Sequence, residues 1–201
     1  VTLGAFGGYL IARFDHTVIN RQGDDLIVFA NAHSGSSEPG IVQVSYDANQ
    51  NGQPDDTWFE LKGENHYEAI RNYQITYTFS APDQAIEWTD NQGNSGNIPR
   101  NDYHVQDYFP HFATPANQLS FSGTLLPPNQ SQNEAGQWIW NPMGKGYVDN
   151  FSSEFSENYA NLFDINNAID NQGNPISLFG IDFVRIYTAV LVSNNVIGEA
   201  S

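Results

Sequence analysis

The residues best suited to chemistry form an acidic loop at positions 47–56, in which oxygen-bearing side chains recur at every second residue. Asp47, Asn49 and Asn51 take the first, third and fifth positions of this acidic loop, and Gly52 takes the sixth, where a calcium loop makes its sharp turn. Because Ca²⁺ prefers about six to eight oxygen ligands, the sequence predicts a calcium site here. The expected ligands are Asp47, Asn49, Asn51, Gln53 through its carbonyl, Asp55, Asp56 and Glu60.

The acidic loop differs from an EF-hand at its twelfth position, which is Trp58 and not a bidentate Glu. Closure must therefore come from Asp55, Asp56 or Glu60, and the strands predicted on either side indicate an inter-strand loop. No Lys or Arg lies between Asp47 and Glu60, so a divalent cation would relieve the repulsion among the carboxylates. We expect a structural ion that holds the loop and pre-organises a neighbouring surface. The alternative is a solvated Asn/Asp-rich turn that binds nothing.

Aromatic side chains form a second candidate site. Trp138 and Trp140 are two residues apart, which places them on one face of a strand as a stacking platform for a sugar ring. Tyr103 and Tyr108 belong to a further aromatic cluster at 102–112. Amide-rich loops beside aromatic rings suit a polar, uncharged ligand, since the amides supply donors and acceptors and the rings supply contact area. The alternative for each cluster is packing in the core.

Catalytic motifs are weak in this sequence. The five histidines are scattered singly and form no zinc motif, and the absence of cysteine excludes disulfides and thiol nucleophiles. A glycosidase needs two carboxylates facing each other across a cleft, which spacing in the sequence cannot reveal. Nothing singles out such a pair among Glu38, Glu60, Glu64 and Glu87.

The balance of charge excludes some partners. Lys and Arg number 7 against 23 Asp and Glu, which leaves a formal charge of −16. Nucleic acid is not an expected partner because its phosphates require a basic footprint, and an anionic membrane surface is disfavoured for the same reason. No apolar segment reaches the roughly 20 residues of a membrane span, so we expect no direct membrane insertion within these residues.

The elements that must position these residues are strands. Alternating and β-branched runs predict strands at 9–14, 26–31, 41–46, 57–61, 73–79, 85–88, 119–124, 137–140 and 183–192, with turn residues between them. One short helix is expected at 163–170, with Asp164 as its cap. The predicted fold is an all-β, jelly-roll-like β-sandwich with long loops and at most one or two short helices, in which the first and last strands pair.

The sequence resembles a family of bacterial cell-surface domains, often carried on lipoproteins of Gram-negative gut bacteria. The resemblance rests on segments that follow in order: 3–9 (LGAFGGY), 14–16 (FDH), 23–31 (GDDLIVFAN), 37–45 (SEPGIVQVS), the acidic loop with Trp58 and Glu60, 181–188 (IDFVRIYT) and 198–199 (GE). The resemblance implies a non-catalytic, adhesion-like jelly-roll domain. It also implies that the protein is either an outer-membrane lipoprotein at the cell surface or secreted. We therefore expect residues 1–201 to form one β-sandwich domain excised from a longer surface protein.

The resemblance leaves two points open. Some similar lipoproteins take part in corrinoid (vitamin B12) capture, which makes a corrinoid the second ligand class. Asp25, Asn31 and Glu38 lie around the second predicted strand, where they either bond strand ends or contribute to a second ion site.

The function predicted from the sequence is a non-catalytic, extracellular, calcium-stabilised binding or adhesion domain. It would recognise a carbohydrate or another small polar ligand through aromatic and amide-rich loops. A corrinoid-capturing lipoprotein and a glycoside hydrolase on the same scaffold are the alternatives. A deep cleft with two facing carboxylates would favour the hydrolase.

Overall fold

The computed structural model describes residues 3–99, 109–152, 161–191, 193–194 and 198–199. The described chain is all-β, as predicted, with two single-turn 3-10 helices at His66–Glu68 and Ile165–Asn167. Its strands are β1 Tyr9–Ile19, β2 Leu26–Val28, β3 Gly40–Ser45, β4 Trp58–Leu61, β5 Ile70–Thr78, β6 Ile86–Asp90, β7 Ser95–Ile98, β8 Gln118–Leu125, β9 Gln130–Gln132, β10 Trp138–Trp140, β11 Asn161–Phe163, β12 Ala168–Ile169, β13 Gly180–Thr188, β14 Ser193–Asn194 and β15 Gly198–Glu199.

Two antiparallel sheets form the body of the sandwich. The five-stranded sheet has the order β1-β13-β3-β4-β12, and the four-stranded sheet has the order β7-β6-β5-β8. The long strands at the two ends of the sequence are neighbours, with Tyr9 opposite Tyr187. The predicted pairing of the first strand with the strand at 183–192 is therefore confirmed.

Both faces of the five-stranded sheet are covered. On one face, Ile41 and Tyr187 pack against Tyr73 and Ile75 of the four-stranded sheet. On the other face, Val42 belongs to a second apolar cluster beneath the loops. Since successive residues of a strand point to opposite faces, this double coverage explains why nearly every residue of β3 and β13 is buried. No helix among the described residues is long and apolar enough to cross a membrane.

The helix predicted at 163–170 is wrong in extent. Asp164 is the expected cap, since its carboxylate accepts the backbone N–H of Asn166, but the helix it begins is one 3-10 turn. Ala168 and Ile169 then pair with Leu61 and Glu60 as an edge strand. Pairing with β4 outweighs the weak helical preference of the two asparagines. Each predicted strand overlaps an observed one. Strands β7 and β9 were not predicted, because they are short and polar and carry no clear alternation.

Candidate functional site

One face of the five-stranded sheet changes from apolar to polar along its strands. Ile41 pairs with Tyr187, and two residues further along the same face Gln43 pairs with Arg185. Gln43 also pairs with Glu60 of β4. Because residues two apart on a strand share a face, Arg185, Gln43 and Glu60 form a polar row beside the apolar core.

An inter-sheet cleft of about 340 Å³ opens over this polar row. The five-stranded sheet contributes Gln43, Trp58, Glu60 and Arg185, and the four-stranded sheet contributes β5 and β8 residues that include Arg71, Asn72, Ser122 and Thr124. The hairpin tip after β12 closes one side with Asp170 and Asn171. Volume and polarity together fit a small polar ligand, since ligand pockets begin at about 300 Å³.

A β-bulge places Arg71 and Asn72 at the cleft. The register of β5 against β8 shifts between Ile70 and Tyr73, and Asn72 takes a positive φ of 54°. Bulges of this kind bend a strand and redirect side chains, and a positive φ at a residue other than glycine is costly. Gly173, in the hairpin tip after β12, leaves room for the Arg71 side chain, because a Cβ atom at Gly173 would overlap the Arg71 guanidinium.

The guanidinium of Arg185 is fixed within the cleft. Its Nε donates to Gln43 Oε1 at 2.7 Å, and its central carbon lies 4.7 Å from the centre of the Trp58 ring. Burial lowers the pKa of Arg185, although the group stays charged. Among the residues that the structure describes, neither Arg71 nor Arg185 has a carboxylate oxygen within 4.0 Å.

Glu60 lies at the floor of the cleft and is not part of the acidic loop, which corrects its prediction as a metal ligand. It is 8% exposed, and its Oε2 accepts hydrogen bonds from Thr124 Oγ1 at 2.9 Å and from the Tyr187 hydroxyl at 3.2 Å. The alternation of β4 is the physical reason, since it turns Glu60 towards the four-stranded sheet.

Glu60 and His66 form a buried pair, with Glu60 Oε1 3.3 Å from His66 Nε2. Burial raises the pKa of Glu60 to about 7 even though the charge of Arg71 opposes the shift. Burial, followed by the charges of Arg71 and Lys62, lowers the pKa of His66 to about 4. Both side chains are therefore neutral near pH 6, where neither pays the cost of burying a charge.

Asp170, the second carboxylate of the cleft, is occupied by its own hairpin tip. Its Oδ1 accepts the backbone N–H groups of Gln172 and Asn174, and its Oδ2 accepts the Asn174 amide. Asp90 bonds Gln92 and Asn94 in the same way. Asn133 accepts two backbone N–H groups in the equivalent turn, so an amide oxygen performs the same task. Asp170 is therefore structural, and the cleft presents no pair of free carboxylates among its described residues.

The acidic loop is closed by hydrogen bonds around Asp47, which is 8% exposed. Its two carboxylate oxygens accept the backbone N–H groups of Asn51 at 3.0 Å and Gly52 at 2.8 Å. Its own N–H donates to Asp182 of β13. Gly52 has a φ of 73°, and its carbonyl accepts a hydrogen bond from Arg13 of β1. The start of the loop is thus attached to the five-stranded sheet.

Asp55 completes the loop through amides. The side-chain amide nitrogens of Asn49 and Asn51 donate to its two oxygens at 3.1 Å and 2.9 Å, and these bonds lower the pKa of Asp55. Asp56 accepts the N–H of Ala48, and the backbone N–H of Gln53 donates to Asn51 Oδ1. The described residues contain no cluster of three or more His, Cys, Asp or Glu side chains arranged to hold a metal. Calcium here would therefore have to draw also on amide and carbonyl oxygens.

The predicted two-ring platform is wrong for Trp140. Trp138 is 46% exposed, but Trp140 is 5% exposed and belongs to the core between the sheets. The strand places both rings on one face, but its far end runs under neighbouring segments, where Trp140 exchanges backbone hydrogen bonds with Gly35 and Ser37. Tyr103 and Tyr108 lie outside the described residues.

The three residues named for a second ion site take part in hydrogen bonds at strand ends, and the second ion site stays a prediction. Asp25 accepts the backbone N–H groups of Arg21 and Ile165, which ties the start of β2 to the turn after β11. Asn31 donates its backbone N–H to Asp149, and Glu38 donates its own to the Asp149 carbonyl.

Sequence reasoning missed Gln43, Trp58, Arg71 and Arg185 as a group. One signal was present: Arg185 interrupts the apolar run of 183–187, and a charged residue in a strand buried on both faces needs a polar neighbourhood. No family model matches the chain, and the search of curated proteins finds no similar sequence.

Proposed function

We propose that this chain is a non-catalytic, extracellular binding domain that takes a saccharide into the inter-sheet cleft. The observation that carries the proposal is the polar row on the inner face of the five-stranded sheet. A sandwich interior is normally filled with apolar side chains, whereas here Gln43, Glu60 and Arg185 lie under an open cleft.

The side chains around the cleft are those that bind sugars. Trp58 offers ring area, and Gln43, Asn72 and Asn171 offer amide donors and acceptors. Trp58 and Gln43 are already held by Arg185, so the ligand would meet a pre-organised surface and lose less entropy on binding.

Calcium is proposed as the structural ion of the acidic loop. The loop leads directly into Thr57 and Trp58, so its rigidity bears on the position of the Trp58 ring. Rotation of the Asn49 and Asn51 amides would turn their oxygens towards a cation beside Asp47 and Asp55, which suits a hard ion with oxygen ligands. The chemistry that calcium would supply is charge neutralisation and rigidity.

Binding without catalysis is favoured over hydrolysis by the state of the two cleft carboxylates. Glu60 is buried and bonded, and Asp170 is occupied by its hairpin tip. A glycosidase needs one free acid and one free base or nucleophile across the scissile bond. Placement at a bacterial cell surface rests on the family resemblance alone.

A glycan array tests the proposed function, with cobinamide included in a parallel titration for the corrinoid alternative. We expect saccharide binding that is lost in Trp58→Ala and kept in Trp138→Ala, a matched removal of an exposed ring outside the cleft. No bound saccharide, or loss of binding only in Trp138→Ala, would contradict the proposal. Product release from a bound oligosaccharide would instead indicate the hydrolase.

A further inference from the structure

We propose that the saccharide bound by the inter-sheet cleft is acidic, and that Arg71 and Arg185 together bind its carboxylate. This inference rests on the proposed function and names the ligand class for the same site. It follows from the charges and hydrogen bonds of the cleft.

The distribution of cations is the first argument. The chain has only 7 Lys and Arg against 23 Asp and Glu, yet two arginines line one small cleft. None of the described Lys and Arg side chains, these two included, has a described carboxylate oxygen within 4.0 Å. Arg185 is partly buried, and a partly buried cation without a counter-charge is costly, so a ligand carboxylate would offset that cost. Arg71 is exposed and would add attraction for the same anion.

The orientation of Arg185 is the second argument. The described hydrogen bonds use only its Nε, which donates to Gln43, and its central carbon lies over the Trp58 ring. The terminal nitrogens are therefore available in a fixed plane. A planar guanidinium held in this way matches a carboxylate, which it can bind through two parallel N–H···O bonds.

The acidic side chains of the cleft are hydrogen-bonded to groups other than the two arginines. Asp170 uses its oxygens on Gln172 and Asn174, while Glu60 accepts bonds from Thr124 and Tyr187. The amides of Gln43, Asn72 and Asn171 remain beside the arginines for sugar hydroxyls. The cleft thus combines anion recognition with the polar contacts that a sugar ring requires.

Calorimetric titration with two matched pairs of probes tests the inference: trigalacturonic acid against its fully methyl-esterified form, and sialyllactose against lactose. Each pair compares an acidic saccharide with a neutral one, and the methyl ester differs from the acid chiefly in its charge. We expect at least one acidic probe to bind about tenfold or more tightly than its neutral partner. The preference should disappear in Arg71→Gln and Arg185→Gln and remain in Arg21→Gln, which removes the same charge from an exposed position outside the cleft.

The outcomes separate the inference from the proposed function. Equal binding of acidic and neutral probes, or a preference untouched by both cleft variants, would overturn the acidic ligand and leave saccharide binding intact. Acetate bound as tightly as the acidic saccharides would indicate a simple anion site and also overturn it. Absence of binding to these probes and to the whole array would remove both proposals. Circular dichroism of each variant separates loss of contact from loss of folding.

Discussion

The two halves of the inner face of the five-stranded sheet differ in what covers them. Around Ile41 and Tyr187 the sheets are in contact, and Phe6 fills the gap with ring centroids 5.0 Å from Tyr73 and 6.3 Å from Tyr187. Around Gln43 and Arg185 the sheets leave an open cleft. The strands are the same in both halves, so a change of side chains two residues along the strand decides whether the sandwich is filled or open.

Tyr187 joins the two halves. Its ring is completely buried in the core, while its hydroxyl accepts the backbone N–H of Thr124 and donates to Glu60 at the floor of the cleft. Tyr187 therefore links the apolar core to the floor of the cleft. The comparison predicts that substitutions in the apolar half act on folding, whereas those in the polar half act on binding and on pH dependence.

The largest expected effect is that of Phe6→Ala in the apolar half. The ring is fully buried among Tyr73, Phe121 and Tyr187, so its removal should lower the free energy of unfolding by about 3–5 kcal/mol. Arg185→Gln, in the polar half, removes one hydrogen bond and one cation–π contact and should change it by about 1–2 kcal/mol. Urea unfolding followed by fluorescence measures both. Equal decreases in the free energy of unfolding for the two variants would contradict the division into an apolar and a polar half.

The next effect is the pH dependence caused by Glu60. Its pKa is 4.5 in the reference state and about 7 in the fold, so the folded protein holds the proton more tightly and stability falls as pH rises through this window. Glu60→Gln keeps a neutral, hydrogen-bonded side chain and should gain roughly 3 kcal/mol over the parent protein at pH values above about 7. Below about pH 4.5 the two proteins should differ little in this respect.

The contribution of His66 to the free energy of unfolding depends on pH in the opposite sense. Its folded pKa of about 4 lies below 6.5, so its contribution is full above pH 6.5 and is lost as pH falls towards 4. His66 is present in both proteins, so their difference reports Glu60 together with its contact to His66. Urea unfolding across this range measures the difference. A constant gap between the parent and Glu60→Gln would contradict the buried-carboxyl assignment.

Calcium bound to the acidic loop should raise the free energy of unfolding by an amount similar to or smaller than the effect of Glu60→Gln. With the ion at about 100 times its dissociation constant, binding to the folded state alone adds about 2.7 kcal/mol. We expect chelator to lower the melting temperature and added calcium to restore it. Asp47→Asn should abolish the response, and Asp90→Asn should preserve it because Asp90 lies in a hairpin tip. Identical melting curves with chelator and with calcium would contradict the site.

The smallest expected effect is that of Asp170→Asn at the rim of the cleft. Asn133 closes an equivalent turn with an amide oxygen, so this replacement should change stability by less than about 1 kcal/mol. Because the Asp170 carboxylate opposes an anionic ligand, the affinity for an acidic saccharide should stay equal or rise. Calorimetry measures it, and a marked fall in affinity would assign Asp170 a direct role in binding.

Sequence alone was sufficient for the long strands and insufficient for the cleft, for physical reasons. Alternation is a local property, so 41–46 and 183–192 were recognisable as strands without knowledge of their partners. The bond between Arg185 and Gln43 joins residues 142 positions apart, and only the register of β13 against β3 brings them together. The bulge at Arg71 and Asn72 likewise has no marker such as glycine in the sequence.

Trp140 and Glu60 show the same limit. The spacing of Trp138 and Trp140 predicted that both rings lie on one face of the strand. It did not reveal that the chain near Gly35 and Ser37 covers one end of the strand. Glu60 was close enough along the chain to serve the acidic loop, but the alternation of β4 turned it into the sandwich. In both cases burial was decided by segments distant in the sequence.

The central claim, that the inter-sheet cleft is the binding site, is tested most directly by the indole N–H signals of the four tryptophans in a ¹H–¹⁵N spectrum. Trp58 lines the cleft, while Trp88, Trp138 and Trp140 do not. During titration with a saccharide selected on the array, the account predicts a saturating shift of the Trp58 signal while the Trp138 signal stays unchanged. A shift of Trp138 with Trp58 unmoved would contradict it.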